Sequence, residues 1–150
     1  MNTSTYQTKT EELFANKCPY SNASQGTAQR LLFVCSAGLL RSPTAASVGS
    51  SMGYNTRSCG SNTTLALIPI SQNLILWADF IFFMNNSNED QVLRYLASHD
   101  LNLHDVVMSK GICWDIEDIY NYGDDSLVWT IQKKLELFQK GHTFNARTKH

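Results

Sequence analysis

The chain has 150 residues, of which 43% are hydrophobic, 17% charged and 11% aromatic, and its formal net charge is -1. That length suits one domain around a single core rather than two, the apolar fraction excludes disorder over most of the chain, and the balanced charge offers no footprint for nucleic acid or an anionic membrane. The most apolar stretch, residues 74–84, is interrupted by Asp79 and falls short of the roughly 20 apolar residues of a bilayer span, so no transmembrane helix is expected.

Residues 1–30 are rich in Ser, Thr, Asn and Gln, with one short apolar cluster at Leu13, Phe14 and Ala15, and read as a polar N-terminal extension holding a helical turn or two. The first ten residues lack the apolar core of a secretory signal, which makes a cytoplasmic address with reduced thiols the expectation. The character changes at Leu31-Leu32-Phe33-Val34, a continuous apolar run of the kind a buried parallel strand shows. Cys35 is the first residue beyond it. Ser36-Ala37-Gly38 then forms a small-residue loop, and a helix ending near Gly53 opens with Ser42 as its cap and Pro43 at its first position. Residues 54–59, closed by Gly60, read as a second short strand.

Ser71 caps a helix reaching Trp77, with Leu74, Ile75 and Trp77 turned inward, and residues 80–84 are the clearest strand in the chain. A further helix spans 87–98, with Glu89 and Asp90 in its first turn, where negative charge suits the helix dipole. Val106-Val107-Met108 reads as the fourth strand, and the last helix runs from a cap at Ser126 to a stop at Gly141. Alternating strands and helices imply right-handed crossovers, a parallel sheet covered on both faces, and ligands at the carboxyl ends of the strands.

Cys18, Cys35, Cys59 and Cys113 lie far apart and form neither a CxxC pair nor a zinc-ligand spacing with histidine. The informative question is which of them is a nucleophile. His99, His104, His142 and His150 lack ligand spacing and are expected at the surface, and Trp77, Trp114 and Trp129 are expected to pack in the core or a groove. Cys35 stands out because Arg41 lies six positions on, so Cys35-Ser36-Ala37-Gly38-Leu39-Leu40-Arg41-Ser42 carries a thiol and a guanidinium at the two ends of one loop. Successive backbone N–H groups of such a loop form a nest for an anion, the following helix adds its positive end, and Gly38 permits a turn through positive φ. The planar fork of Arg41 matches two phosphate oxygens as lysine cannot. Free cysteine ionises near 8.5, and neighbouring dipoles and cations favour the thiolate that acts as nucleophile.

These residues resemble the low-molecular-weight protein tyrosine phosphatases, and especially a branch of small phosphatases that read Trp-Ala-Asp before the third strand. The resemblance covers about residues 31–140: Cys35 to Pro43 matches the family's Cys-x5-Arg-Ser-Pro loop, Ser58-Cys59-Gly60 the turn ending strand two, Asp79 to Met84 the third strand, and Asp118-Ile119-Tyr120 the acid segment. It implies Cys35 as nucleophile, Arg41 as phosphate clamp, Ser42 as the hydroxyl supporting the thiolate, and Asp118 as general acid. Residues Ser36, Ala37, Gly38, Leu39 and Leu40 would line the phosphate, and Tyr120 would flank the substrate ring. Three departures stand out. Gly38 occupies a position where the family carries an asparagine that stiffens the loop by bonding the serine ending strand two, here Ser58. Leu40 stands where many members carry a second, protective cysteine. The acid segment reads Asp115-Ile116-Glu117-Asp118, leaving Asp115 and Glu117 as contenders, with Asp124 and Asp125 beyond.

The resulting expectation is a cysteine-dependent phosphate monoester hydrolase on a flavodoxin-like, three-layer α/β sandwich, with a parallel four-stranded sheet in the order 2-1-3-4 and helices on both faces. It comprises the extension 1–30, the domain 31–140 and a tail 141–150. A phosphotyrosine protein is the leading substrate, with small phosphate monoesters as the wider class. No metal or cofactor is expected, because Arg41 and the nest stabilise the charge. An arsenate reductase using the same loop, or a phosphate- or phosphopeptide-binding module without turnover, are the alternatives.

Overall fold

A computed structural model of the chain describes residues 28–141. The apolar cluster at 13–15, Cys18, His142, His150 and the tail lie outside the described residues. Four strands, β1 (Arg30–Cys35), β2 (Asn55–Gly60), β3 (Phe80–Phe83) and β4 (Gly111–Cys113), form one parallel sheet in the order β2-β1-β3-β4. Five helices connect and close it: α1 (Arg41–Ser51), α2 (Gln72–Trp77), α3 (Asn86–Ser98), α4 (His104–Lys110) and α5 (Asp125–Gln139).

Period-two alternation along the central strands sorts the core into two layers. Leu31 and Phe33 of β1, Phe82 of β3 with Met84 just beyond it, and Ile112 of β4 face α1 and α5, where Ala45, Val48, Leu127, Ile131 and Leu135 meet them. Leu32, Val34, Ile81, Phe83 and Cys113 point the other way, into Leu74, Ile75 and Trp77 of α2, Val92 and Leu96 of α3 and Val107 of α4. Both layers are drawn from the continuous apolar runs expected of doubly covered strands. Burying each Leu or Phe is worth about 1.5–3 kcal/mol, so the fully buried β1 imposes a strand on its polar neighbour β2 despite Asn55 and Arg57.

The fourth strand is not where the sequence suggests. Val106-Val107-Met108 lies inside α4, and β4 is Gly111–Cys113. Only Val107 of that triplet is buried, Met108 is exposed, and the buried Leu103 and Val107 are four residues apart, the spacing of one helical face. A strand of three residues shows no alternation, and Gly111 admits the tight turn into it, since a Cβ there would stand 2.7 Å from the Val107 carbonyl oxygen. Smaller shifts occur at helix starts. Helix α3 starts at Asn86, one residue before the expected 87, with Asn85 as its cap, and Asp124 rather than Ser126 caps α5, its carboxylate accepting the Ser126 N–H at 2.9 Å. Trp77 and Trp114 are buried as expected, whereas Trp129 is 62% exposed on α5, with the Lys133 ammonium 5.8 Å from its ring centroid.

At the amino ends of the strands, Arg30 ties β1 to β3. Its Nη2 and backbone N–H donate to the two oxygens of Asp79, each at 2.9 Å, while the Asp79 N–H returns a bond to the Arg30 carbonyl at 2.8 Å. Burial works to raise the Asp79 carboxyl, but the bonds and charge of Arg30, helped by Lys110, outweigh it and hold it below the usual range. Among the described residues no helix is long and apolar enough to cross a membrane.

Candidate active site

The segment between β1 and α1 leaves regular structure at Ser36 and re-enters it at Arg41, at the carboxyl end of the central strand. Cys35 is the last residue of β1 and is 3% exposed. Its Sγ lies 3.1 Å from the Ser42 hydroxyl, which is itself buried and also 3.3 Å from the Cys59 carbonyl oxygen. The expected capping role of Ser42 is thereby corrected. Helix α1 begins two residues earlier than expected, its cap position Leu40 makes no side-chain capping bond, and the Ser42 hydroxyl serves the sulfur. Pro43 falls within the first turn, where no intrahelical partner awaits its missing N–H. A single hydroxyl proton can be given to Cys59 O or to a thiolate, so Ser42 can turn to Cys35 on ionisation.

Gly38 has φ +73°, and a Cβ there would lie 2.9 Å from both the Cys59 carbonyl carbon and the Gly60 nitrogen. Its requirement is thus double, for a left-handed turn and for backbone contact with the end of β2. Gly60 reciprocates, since a Cβ on it would stand 2.8 Å from Ser36 O and from Ala37 C. The Ser61 N–H donates to Cys35 O at 2.8 Å and the Asn62 N–H to Ser36 O at 2.9 Å. These two bonds tie the carbonyls of Cys35 and Ser36 to the chain beyond β2.

Arg41, 1% exposed, donates from Nη1 to the Ile116 carbonyl at 2.9 Å, and its Nε lies 3.4 Å from Asp118 Oδ1. That Nε has no aligned hydrogen-bond acceptor, so the contact is an ion pair and the atom remains available to an incoming oxygen. Asp118 itself is exposed, as are Asp115 and Glu117, while Ile116 between them is buried and anchors the segment to the core. Tyr120 is half-buried against the α1 and α5 layer. Leu39, 48% exposed, and Ile119, 71% exposed, present apolar surface on the loop after β1 and on the segment beyond β4 respectively.

Cys59 pairs with Val34, not Cys35, in the β1–β2 register, and Cys113 pairs with Phe83, so both thiols lie in the layer on the opposite face of the sheet from Cys35. Burial pushes the Cys59 thiol far up, and the nearby Cys35 adds to that direction. Among the described residues, no three His, Cys, Asp or Glu side chains converge as metal ligands.

Sequence reasoning missed a polar cluster behind the loop. Asn88 on α3, with no solvent exposure, donates through Nδ2 to the hydroxyls of Ser36 and Ser61, both at 3.2 Å. Ser61 in turn donates to Gln91 Oε1. An open groove of about 350 Å³, lined by Asn62, Arg94, Tyr95 and His99 among others, adjoins Ser61 and Gln91. Nothing in the polar sequence around Asn88 marks it, because an asparagine in the first turn of a helix is ordinarily a solvated or capping residue.

Solved structures sharing this architecture include a low-molecular-weight protein tyrosine phosphatase from Bacillus subtilis, which is 16% identical, covers 75% of this chain and 98% of its own, and superposes with a TM-score of 0.55. The fold is that of the low-molecular-weight phosphatases. Wzb from Vibrio vulnificus, solved with benzylphosphonate, is 14% identical, covers 76% of this chain and 99% of its own, and has a TM-score of 0.57. The arginine phosphatase YwlE from Geobacillus stearothermophilus is 18% identical, covers 78% of this chain and 99% of its own, and has a TM-score of 0.52. No protein-family model and no curated protein matches the chain by sequence.

Proposed function

We propose that the protein is a cysteine-dependent phosphate monoester hydrolase, and specifically a protein tyrosine phosphatase working through a cysteinyl-phosphate. The observation that carries this reading is the Cys35 sulfur, 3.1 Å from the Ser42 hydroxyl, at the base of a loop closed by a buried Arg41 whose Nε lies 3.4 Å from Asp118. In the first step the Cys35 thiolate attacks phosphorus, the bond to the tyrosyl oxygen breaks, and protonated Asp118 gives its proton to the departing phenolate. In the second, the Asp118 carboxylate takes a proton from water as that water attacks phosphorus, and inorganic phosphate and the thiolate are released. The loop N–H groups and the Arg41 fork stabilise the extra negative charge of both transition states. Asp118 is preferred to Asp115 as the acid because its Oδ1, 3.4 Å from Arg41 Nε, is the one that stands at the loop.

Apolar Leu39 and Ile119, with Tyr120 next to Ile119 in sequence, suit an aryl leaving group. Because one neighbour is an arginine phosphatase, phosphoarginine is the useful competing substrate in an assay. An arsenate reductase needs further thiols near the nucleophile, and Cys59 and Cys113 on the far side of the sheet argue against it. The deciding experiment is hydrolysis of an aryl phosphate and a phosphotyrosine peptide, in EDTA, by the wild type and by Cys35→Ser. Turnover that disappears in the variant is the expected result; turnover retained within about tenfold removes Cys35 from its role, since serine is almost un-ionised at neutral pH.

A further inference from the structure

We propose that Asn88 is the positioning residue that holds the phosphate loop in its anion-binding shape, a role that rests on the phosphatase reading and that no loop side chain performs here. Gly38 has no side chain with which to brace the turn, and its φ of +73° leaves the loop dependent on outside support. That support comes from α3. Both N–H bonds of the Asn88 amide are used, one on Ser36 within the loop and one on Ser61 just beyond β2. Its Oδ1 accepts the Asn85 N–H at 3.1 Å, which leaves the nitrogen end for the two serines. The hub therefore joins three segments at the carboxyl edge of the sheet: the loop, the chain leaving β2, and the amino end of α3.

Each strand of this brace acts on the same two residues. The Ser61 and Asn62 N–H groups fix the carbonyls of Cys35 and Ser36, while Asn88 fixes the Ser36 side chain and, through the Ser61 hydroxyl, the residue that holds Cys35. Gln91, one turn further along α3, accepts from Ser61 and keeps that hydroxyl's remaining lone pairs directed at Asn88. Asn88 itself has no solvent exposure, so an amide deprived of its serines pays the cost of a buried unsatisfied donor. Asn88 touches neither the nucleophile nor the phosphate position in this scheme, and acts through Ser36 and Ser61.

The test compares Asn88→Ala, Ser36→Ala and the double variant in three measurements: dissociation constant for inorganic phosphate, kcat and KM for an aryl phosphate, and melting temperature. Asn88→Ala is expected to weaken phosphate binding and lower kcat/KM, each by about tenfold or more, and the double variant to be little worse than Asn88→Ala alone, because Ser36 and Asn88 work through one bond. Asn88→Asp guards against a folding failure: its carboxylate still accepts the Asn85 N–H and so keeps the helix cap, but it cannot donate to either serine, and Ser61 could turn to it only by giving up its bond to Gln91. It should reproduce the loss and move the acid limb of the kcat/KM profile to higher pH, since a negative charge behind Ser36 opposes an anion in the loop. A purely structural residue would change melting temperature and leave that limb in place. Wild-type hydrolysis with folded Asn88 variants within about twofold in every kinetic and binding measurement, or losses from the two single variants that simply add, overturns the proposal and leaves the phosphatase reading intact. A wild type that binds phosphate but does not turn over, with binding lost in Asn88→Ala, sustains the positioning role and overturns the phosphatase reading.

Discussion

Replacing Gly38 with alanine measures how tightly the phosphate loop rests on β2. Two costs are expected. A non-glycine residue at φ +73° carries roughly 1–2 kcal/mol of left-handed strain. The new methyl would also stand 2.9 Å from the Cys59 carbonyl carbon and the Gly60 nitrogen, backbone atoms that can yield only by separating the loop from the strand, at roughly 1–3 kcal/mol for overpacking of this kind. Gly123 supplies the control, because its φ is +72° and a Cβ there meets nothing within 4 Å. Gly123→Ala thus bears the strain alone, and the loss of unfolded-chain freedom, which favours alanine at both positions, cancels between them. The difference between the two variants is then roughly 1–3 kcal/mol, or about 3–10 °C in melting temperature for a chain of this size. Thermal unfolding followed by circular dichroism, with phosphate affinity measured in parallel, reads both effects. Gly38→Ala should melt lower than Gly123→Ala and bind phosphate more weakly. Equal melting temperatures with unaltered phosphate binding would refute the close approach of loop and strand.

Asp118→Asn should slow hydrolysis of a phosphotyrosine peptide by roughly 10²-fold while affecting a substrate with a good leaving group much less, and Asp115→Asn should be mild; single-turnover kinetics on both substrates separates phosphorylation from release. A larger loss from Asp115→Asn would reassign the acid. Under peroxide, Cys35 should proceed to sulfinic acid with poor recovery by thiols, since Leu40 offers no thiol and Cys59 and Cys113 are buried in the other core layer; a reversible disulfide between Cys35 and Cys59 on mass spectrometry would contradict this and make Cys59 the protecting thiol. The Arg30–Asp79 pair makes stability depend on acid pH. Its folded carboxyl titrates below the unfolded value of about 3.9, so its contribution is present above that pH and is lost as pH falls through the lower folded value. With the Asp79 side chain 37% exposed, that contribution is about 1 kcal/mol or less, and Asp79→Asn should flatten the acid limb of a stability–pH curve by that much.

The parts of the fold legible in the sequence are those whose burial is carried by several consecutive apolar residues. Leu31 to Val34 and Phe80 to Met84 announce the two central strands, and their alternation with helices makes the sheet parallel, while the order 2-1-3-4 comes with the family resemblance. β4 was not legible because its three residues carry no pattern, while the β-branched pair Val106 and Val107 beside it mimics one. The site divides similarly. Cys35, Arg41 and Ser42 are close in sequence and can be read from a single loop, although the use of Ser42 on the sulfur rather than as a cap depends on where α1 begins. Asp118 sits in a run of acidic residues, and only its 3.4 Å approach to Arg41, 77 positions earlier, sets it apart from Asp115 and Glu117. Asn88 was invisible because its partners Ser36 and Ser61 are 52 and 27 residues away and each is an ordinary polar residue by itself.

The central claim is a covalent bond between Cys35 and phosphorus, and rapid acid quenching of the wild type with a phosphotyrosine peptide tests it most directly. Trypsin should cut after Arg30 and Arg41, isolating Cys35 on a peptide free of the other three cysteines. A phosphoryl group on that peptide during turnover, absent from Cys35→Ser, is the predicted result. Turnover with no phosphoryl group on it, or with the group on another residue, would contradict the account.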